Sequence, residues 1–244
     1  MFHHFAFIGI LAILLFILFR ERLFKHYQLA RWTRKLQLKQ HRRAFDTIYQ
    51  DVDGFTLSRR ARQSQDAFEY TYGEINFLPF IALIALAKPQ SSTRFYDLGS
   101  GVGKAVLAAA MVFPMEKACG IELFEPLHQA AVATQARLAS MTDDISNTKT
   151  ICFIHDNFLH VDWWRDATLI FINATGFFGT TWERLNQQLA ENNIPSCVII
   201  TISKKLNAEH FTIIAEHFVE MSWGIAVAYI QILQTNPAAD DGEA

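Results

Sequence analysis

The chain has 244 residues, 51% of them hydrophobic, with 21 Phe and a formal charge of −2. This gives ample material for a core and suits one domain plus an appendage. Its three cysteines, Cys119, Cys152 and Cys197, are odd in number, lie in apolar runs and lack metal-ligand spacing, which argues against a disulfide framework or a metal site. All three are expected to be reduced core residues.

The near-neutral total conceals an asymmetry. Residues 20–43 carry nine Lys/Arg against one acid, Glu21, leaving 13 basic and 23 acidic residues elsewhere. An acidic body therefore follows a basic segment. Ahead of that segment, residues 5–19 contain no charge. Counted from Phe2 the apolar run is roughly 18 residues, or about 27 Å of helix, close to the thickness of a hydrocarbon core. No positive charge precedes it and no small-residue cleavage site follows, unlike a secretory signal. Residues 1–19 are expected to form an uncleaved transmembrane helix, with the positive charges behind it keeping the rest in the cytoplasm. The alternative is a helix packed on the protein's own domain or lying at the membrane interface. Residues 20–50 contain neither Gly nor Pro and read as a basic juxtamembrane helix against an anionic leaflet, or as a solvated linker helix.

From residue 51 to 234 apolar runs alternate with helical segments, the pattern of a parallel α/β sheet with helices on both faces. Strands are expected at 94–97, 118–123, 150–155, 167–173 and 196–202, and helices notably at 126–138 and 181–190. A last pair, 212–219 and 225–233, is separated only by "EMSWG", too short for a helix, so it predicts an antiparallel hairpin. Five parallel strands closed by that hairpin make seven. The tail, 235–244, has the composition of a disordered segment.

The stretch "FYDLGSGVGKAVLAAA" places three glycines between a strand and a helix. A phosphate-binding P-loop would need Gly where Leu98 stands and a hydroxyl where Ala105 stands. The dinucleotide fingerprint fits Gly99 and Gly101, but its third glycine falls on Lys104. What remains, an acid two residues before the first glycine, closely resembles the nucleotide-binding turn of class I S-adenosylmethionine-dependent methyltransferases. That resemblance implies a Rossmann-like seven-stranded sheet and S-adenosyl-L-methionine as cofactor. Ligands of open α/β sheets sit beyond the carboxyl ends of the strands, so those ends supply the candidates. Asp97 ends the first strand, and Glu122, 25 residues on, can accept ribose hydroxyls. Asp156 or Asn157, with Phe158, is available to an adenine, and Asn173 closes the fourth strand as a cap or a site residue. His155 is read as a hydrogen-bonded structural residue.

A narrower resemblance extends over residues 68–233. "TYGEI", "DLGSGVGK", "GIEL", "NFLHVDWW", "IFINATGFF", "ITISKKL" and "SWGIAVAYIQIL" follow one another as in the disruptor-of-telomeric-silencing family, the non-SET histone-lysine methyltransferases. The resemblance implies that Tyr72 and Glu74 lie in the loop covering the cofactor. It also implies that Asp97, Gly99, Gly101, Lys104, Glu122 and Phe158 contact the cofactor, and that Asn173 and Tyr229 shape a lysine channel. Phe171, Phe177 and Trp223 are further candidates for its aromatic walls. Lys104 stands where the family usually has Gln, and the family's basic nucleosome-binding extension is missing. The expected activity is therefore methyl transfer to a lysine of a membrane-associated basic protein, with no strong case for nucleic acid as partner. A membrane lipid or small-molecule methyltransferase and a non-catalytic S-adenosylmethionine-binding protein are the competing readings.

Overall fold

The computed structural model describes residues 20, 27–62, 72–141, 151–192, 194 and 196–234. The chain divides into two units, Met1–Gln40 and His41–Ala244. In the first, residues 27–35 are helical and the helix breaks at 36–37. Gln37 adopts φ of +49°, and its N–H reaches Arg34 three residues back, at 3.1 Å. A residue in the left-handed region ends the four-residue ladder, so the single basic helix expected over 20–50 is two. Among the described residues no helix is long and apolar enough to cross a membrane. The expected anchor over 1–19 lies outside the described residues, as does the expected disordered tail over 235–244.

The second unit begins at His41 rather than at 51, within helix α1 (Leu38–Tyr49). Arg42 and Arg43 face solvent while Ala44, Phe45, Ile48 and Tyr49 are buried, so a segment basic in composition has an apolar face. Phe45 packs on Phe77 with ring centroids 5.0 Å apart, and Tyr49 donates from its hydroxyl to the carbonyl of Val102 at 3.0 Å. Helices α2 (Gly54–Arg62) and α3 (Phe77–Leu86) follow. Pro79 fits within α3 because first-turn N–H groups have no intrahelical acceptor.

The remaining elements alternate: β1 (Arg94–Leu98), α4 (Lys104–Val112), β2 (Lys117–Glu122), α5 (Glu125–Met141), β3 (Ile151–His155), β4 (Leu169–Asn173), α6 (Gly179–Glu191), β5 (Val198–Ile202), β6 (Phe211–Met221) and β7 (Gly224–Leu233). The sheet order is β3-β2-β1-β4-β5-β7-β6. Neighbours from β3 to β5 are parallel, while β7 is antiparallel to both β5 and β6. This is the expected seven-stranded arrangement, with the hairpin turning on Ser222 and Trp223. The middle strands are covered on both faces, which is why they read as unbroken apolar runs. On one face Phe80 of α3 meets Phe171 of β4 at 5.1 Å, and α4 is buried along almost its whole length. On the other, Leu185 and Leu189 of α6 share a core with Tyr96, Leu98, Ile121, Ile170, Ile172 and Ile199.

Two cysteines depart from the reading of three reduced thiols. Cys119 and Cys152 are register partners on neighbouring strands β2 and β3, so their side chains leave the same face side by side, and they form a disulfide. Cys197 is a free, buried thiol, and burial raises its pKa to about 12.

Trp163, in the turn after β3, is 1% exposed and its indole N–H donates to the Phe158 carbonyl at 2.8 Å. Trp163→Phe should cost about 2–4 kcal/mol, from lost volume and from a buried carbonyl left unpaired. The urea midpoint measures this. A loss below about 1 kcal/mol would mean that the turn repacks freely.

Candidate active site

The glycine turn after β1 is tied down from below. Gly99 and Ser100 both donate to the Ile121 carbonyl, at 2.9 and 3.0 Å. Gly99, Gly101 and Gly103 all have positive φ, a region that other residues rarely adopt. At Gly101 a Cβ would lie 2.9 Å from the Tyr72 ring, and at Gly103 it would lie 2.6 Å from Phe153. Only glycine allows the turn to lie this close to its neighbours.

Glu122 joins this turn to the end of β2. Its Oε2 accepts from Gly101 N at 2.7 Å and its Oε1 accepts from Phe124 N at 2.9 Å. A carboxylate oxygen has two lone pairs, so each keeps capacity for a second donor such as a ribose hydroxyl. Burial raises the Glu122 pKa, while the backbone N–H groups oppose that rise. Asp97 is 3% exposed, and its pKa is raised strongly by burial and then by the charge of Glu122.

The loop Tyr72–Gly73–Glu74 forms another wall of the same cavity. The hairpin turn holds it by its backbone: Glu74 N donates to Ser222 Oγ, and Ser222 N donates to the Glu74 carbonyl, both at 3.0 Å. Asn173, at the end of β4, donates from Nδ2 to the Gly73 carbonyl at 3.0 Å. Trp223 packs so tightly on Gly73 that a Cβ there would fall 2.1 Å from its ring. On the side-chain side, Glu74 accepts from the Tyr72 hydroxyl at 2.9 Å and pairs with Lys104 at 2.5 Å. Burial raises the Tyr72 pKa, and the Glu74 carboxylate adds to the rise.

The cavity is lined by Tyr72, Glu74, Asp97, Gly99, Gly101, Lys104, Glu122, Asn157, Phe158 and Asn173, all singled out by sequence, together with Phe171 and Phe177. Three candidates lie outside this lining, one of them Trp223, which packs on Gly73. Asp156 turns back to accept from Asn157 N at 2.6 Å, leaving Asn157 and Phe158 to face the cavity. Tyr229 pairs across the sheet with Thr201 and Glu216, and its ring lies 4.9 Å from the Lys205 ammonium. The register of β7 puts it on the hairpin surface, away from the cavity lining. His155 bonds to the Leu123 carbonyl at 3.1 Å and stacks on His128, in a structural position. Sequence reasoning did not single out Ser222 and Tyr49. Their signal is only a hydroxyl beside a hairpin tip and a tyrosine closing a basic helix.

This sheet order, a glycine turn after β1, and buried acids at the ends of β1 and β2 define a class I S-adenosylmethionine-dependent methyltransferase. Residues 56–235 match the family described as "Histone methylation protein DOT1", and the chain belongs to that family. Among solved structures it is similar to an RNA methyltransferase from Salinibacter ruber in complex with S-adenosyl-L-homocysteine. The two share 19% identity at a TM-score of 0.52, over 67% of this chain and 95% of that one. A tRNA (m1A22) methyltransferase from B. subtilis matches at 15% identity and a TM-score of 0.48, over 66% and 69%. No curated protein matches. The cofactor is S-adenosylmethionine, and the residues present fit it. Glu122 and Asp97 are buried acceptors at the strand ends, the glycine turn is backed closely by Tyr72, and Asn157 and Phe158 offer an amide and a ring face.

A carboxyl whose folded pKa is raised holds its proton more tightly in the native state than in the unfolded chain. Stability from Asp97 is therefore present below its unfolded pKa and is lost as pH rises through the folded one. Asp97→Asn should raise the ligand-free melting temperature at pH 8, with the gain shrinking as pH falls toward 4, while weakening S-adenosylhomocysteine binding. Thermal melts across that range test it. No gain at pH 8 would mean that Asp97 is not an electrostatic burden on the fold.

Proposed function

We propose that this chain is a membrane-anchored protein-lysine N-methyltransferase acting on a basic protein at or near the membrane. The observation that carries the reading is Asn173. Its Nδ2 is spent on the Gly73 carbonyl, while its Oδ1 is buried with no hydrogen-bond partner among the described residues. A fixed acceptor on the cavity wall suits an incoming amine, whose N–H it can hold while the lone pair stays free. When bound, S-adenosylmethionine supplies an electrophilic sulfonium methyl. The chain's task is alignment, and apolar walls aid it. Phe158, Phe171 and Phe177 line the cavity, and desolvation there favours the neutral amine that must attack. Phe177 is held from outside by Lys204, whose ammonium donates to its carbonyl and sits 3.9 Å from the Phe178 ring centroid. The acidic balance outside residues 20–43 suits a lysine-bearing target better than a phosphate backbone.

The test is incubation of the full-length protein with radiolabelled cofactor and separate membrane and cytosolic fractions. Label should run with protein, and Asn173→Ala should reduce transfer at least tenfold with S-adenosylhomocysteine affinity changed far less. Label in the lipid extract would replace this reading with a lipid methyltransferase, and efficient labelling of nucleosomes alone would restore a histone substrate.

The anchor has its own check. Full-length protein should stay in the membrane pellet through a carbonate wash. Release by carbonate would mean that residues 2–19 do not span the bilayer.

A further inference from the structure

Strand β6 closes one side of the sheet and is 11 residues long, against five for β1 and β5. An edge strand turns alternate N–H and C=O groups outward without partners, and edges are commonly blunted by shortness, Lys or Pro. β6 contains no Lys, Arg or Pro. Its one irregularity is a register shift between Ile213 and Ala215. Among the described residues, the backbone pairing on its outer side is a single antiparallel bridge from Ile75 to Met221. Asn76 extends this contact, donating from Nδ2 to Glu220 Oε1 at 3.3 Å. With Glu74 on Ser222 and Gly73 against Trp223, the covering loop runs in register beside the end of β6 and its turn. The stretch before it, Ala215 to Val219, has no outer strand among the described residues.

The side chains on this stretch divide by face. Val219 and Met221 are buried on the side where α3 packs. On the other side Phe218 is 84% exposed between Glu216 and Glu220, and Ile225, the β7 partner of Glu220, is 76% exposed. Glu216 also meets Lys205 at 2.9 Å, with both side chains about half in solvent. An open edge calls for an extended backbone, an exposed ring for an apolar neighbour, and two carboxylates for cations. A bilayer offers no backbone groups in register, and an anionic leaflet would be repelled. A second copy would line Glu216 and Glu220 of both chains along one seam.

We propose that β6 receives the methyl-accepting protein as an added strand, an extended segment in which basic and apolar side chains alternate. The inference rests on the proposed protein-lysine substrate. The covering loop takes over the edge where the guest ends, so the guest is aimed along that loop toward the cavity wall at Gly73. Val219 and Trp223 are about four strand steps apart, or roughly 13 Å. The acceptor lysine therefore lies about four residues beyond the paired stretch, on the side nearer the turn.

Full-length Phe218→Lys and Glu216→Lys proteins, incubated with radiolabelled cofactor and the membrane fraction, test this. Both positions are exposed and lie outside the cavity lining, so S-adenosylhomocysteine affinity by calorimetry should stay within about twofold of wild type. Transfer to protein should fall at least fivefold in each, because each sets a cation against a basic guest. Wild-type labelling of protein by both variants would overturn the edge and leave the lysine reading standing. Label confined to lipid in the wild type would remove both. Higher transfer in Glu216→Lys would identify the surface as a contact for anionic lipid and overturn the added strand. A wild-type dimer by light scattering that Phe218→Lys converts to monomer would reassign the edge to a second copy. Loss of S-adenosylhomocysteine binding in step with transfer would make the hairpin a support of the cavity alone, and would also overturn the proposal.

Discussion

The Glu122 carboxylate binds two backbone N–H groups on different turns, Gly101 after β1 and Phe124 before α5. Because β1 and β2 are adjacent and parallel, both turns emerge at the same sheet edge, and one side chain at that edge can hold both. The glycine turn owes its closeness to β2 to this grip and to the Ile121 carbonyl beneath it. The cost is a second acid close by. Asp97 is almost wholly buried, and the charge of Glu122 makes its ionisation harder still. Native proteins retain such repulsion where a ligand later uses it. Here two carboxylates stand at the floor of the cavity on rigid strand ends rather than on loops.

The opposite wall is built on another principle. Tyr72, Gly73 and Glu74 form an irregular segment with no ladder of their own, and their polar groups are met one at a time by Asn173, Ser222 and Lys104. Irregular backbone beside a cavity must be satisfied in this way or suffer the desolvation of each unpaired group. The site therefore combines a floor set by sheet geometry with a wall set by side-chain bonds from three separate elements.

The floor was legible in the sequence and the wall was only partly so. Asp97, the glycines and Glu122 are local signals, because a strand, a turn and a helix in succession fix their positions within a few residues. The five parallel strands and the hairpin followed from apolar runs and from the shortness of "EMSWG". Tyr229 shows where that reasoning stops. Whether a strand residue faces a cavity depends on register across β5 and β6, and a slip of one residue reverses it. The Cys119–Cys152 bond escaped for the same reason, since 33 residues separate partners that only register brings together. Tyr49 was hidden by composition: a helix dense in Arg and Lys concealed a face that packs against the domain.

The staple between Glu74 and Ser222 spans 148 residues of chain. A ribosome makes the loop early and the hairpin turn much later, at roughly 5–20 residues per second. For a span of seconds the nascent chain can form β1, α4 and β2 around Glu122, with Lys104 in place to pair with Glu74 but the backbone of the loop at 72–74 still without its staple to Ser222. The floor of the site is thus available before its wall, and any ligand met during synthesis meets half a pocket. Completion of the β6–β7 turn is the event that turns a sheet with a glycine loop into a closed binding site.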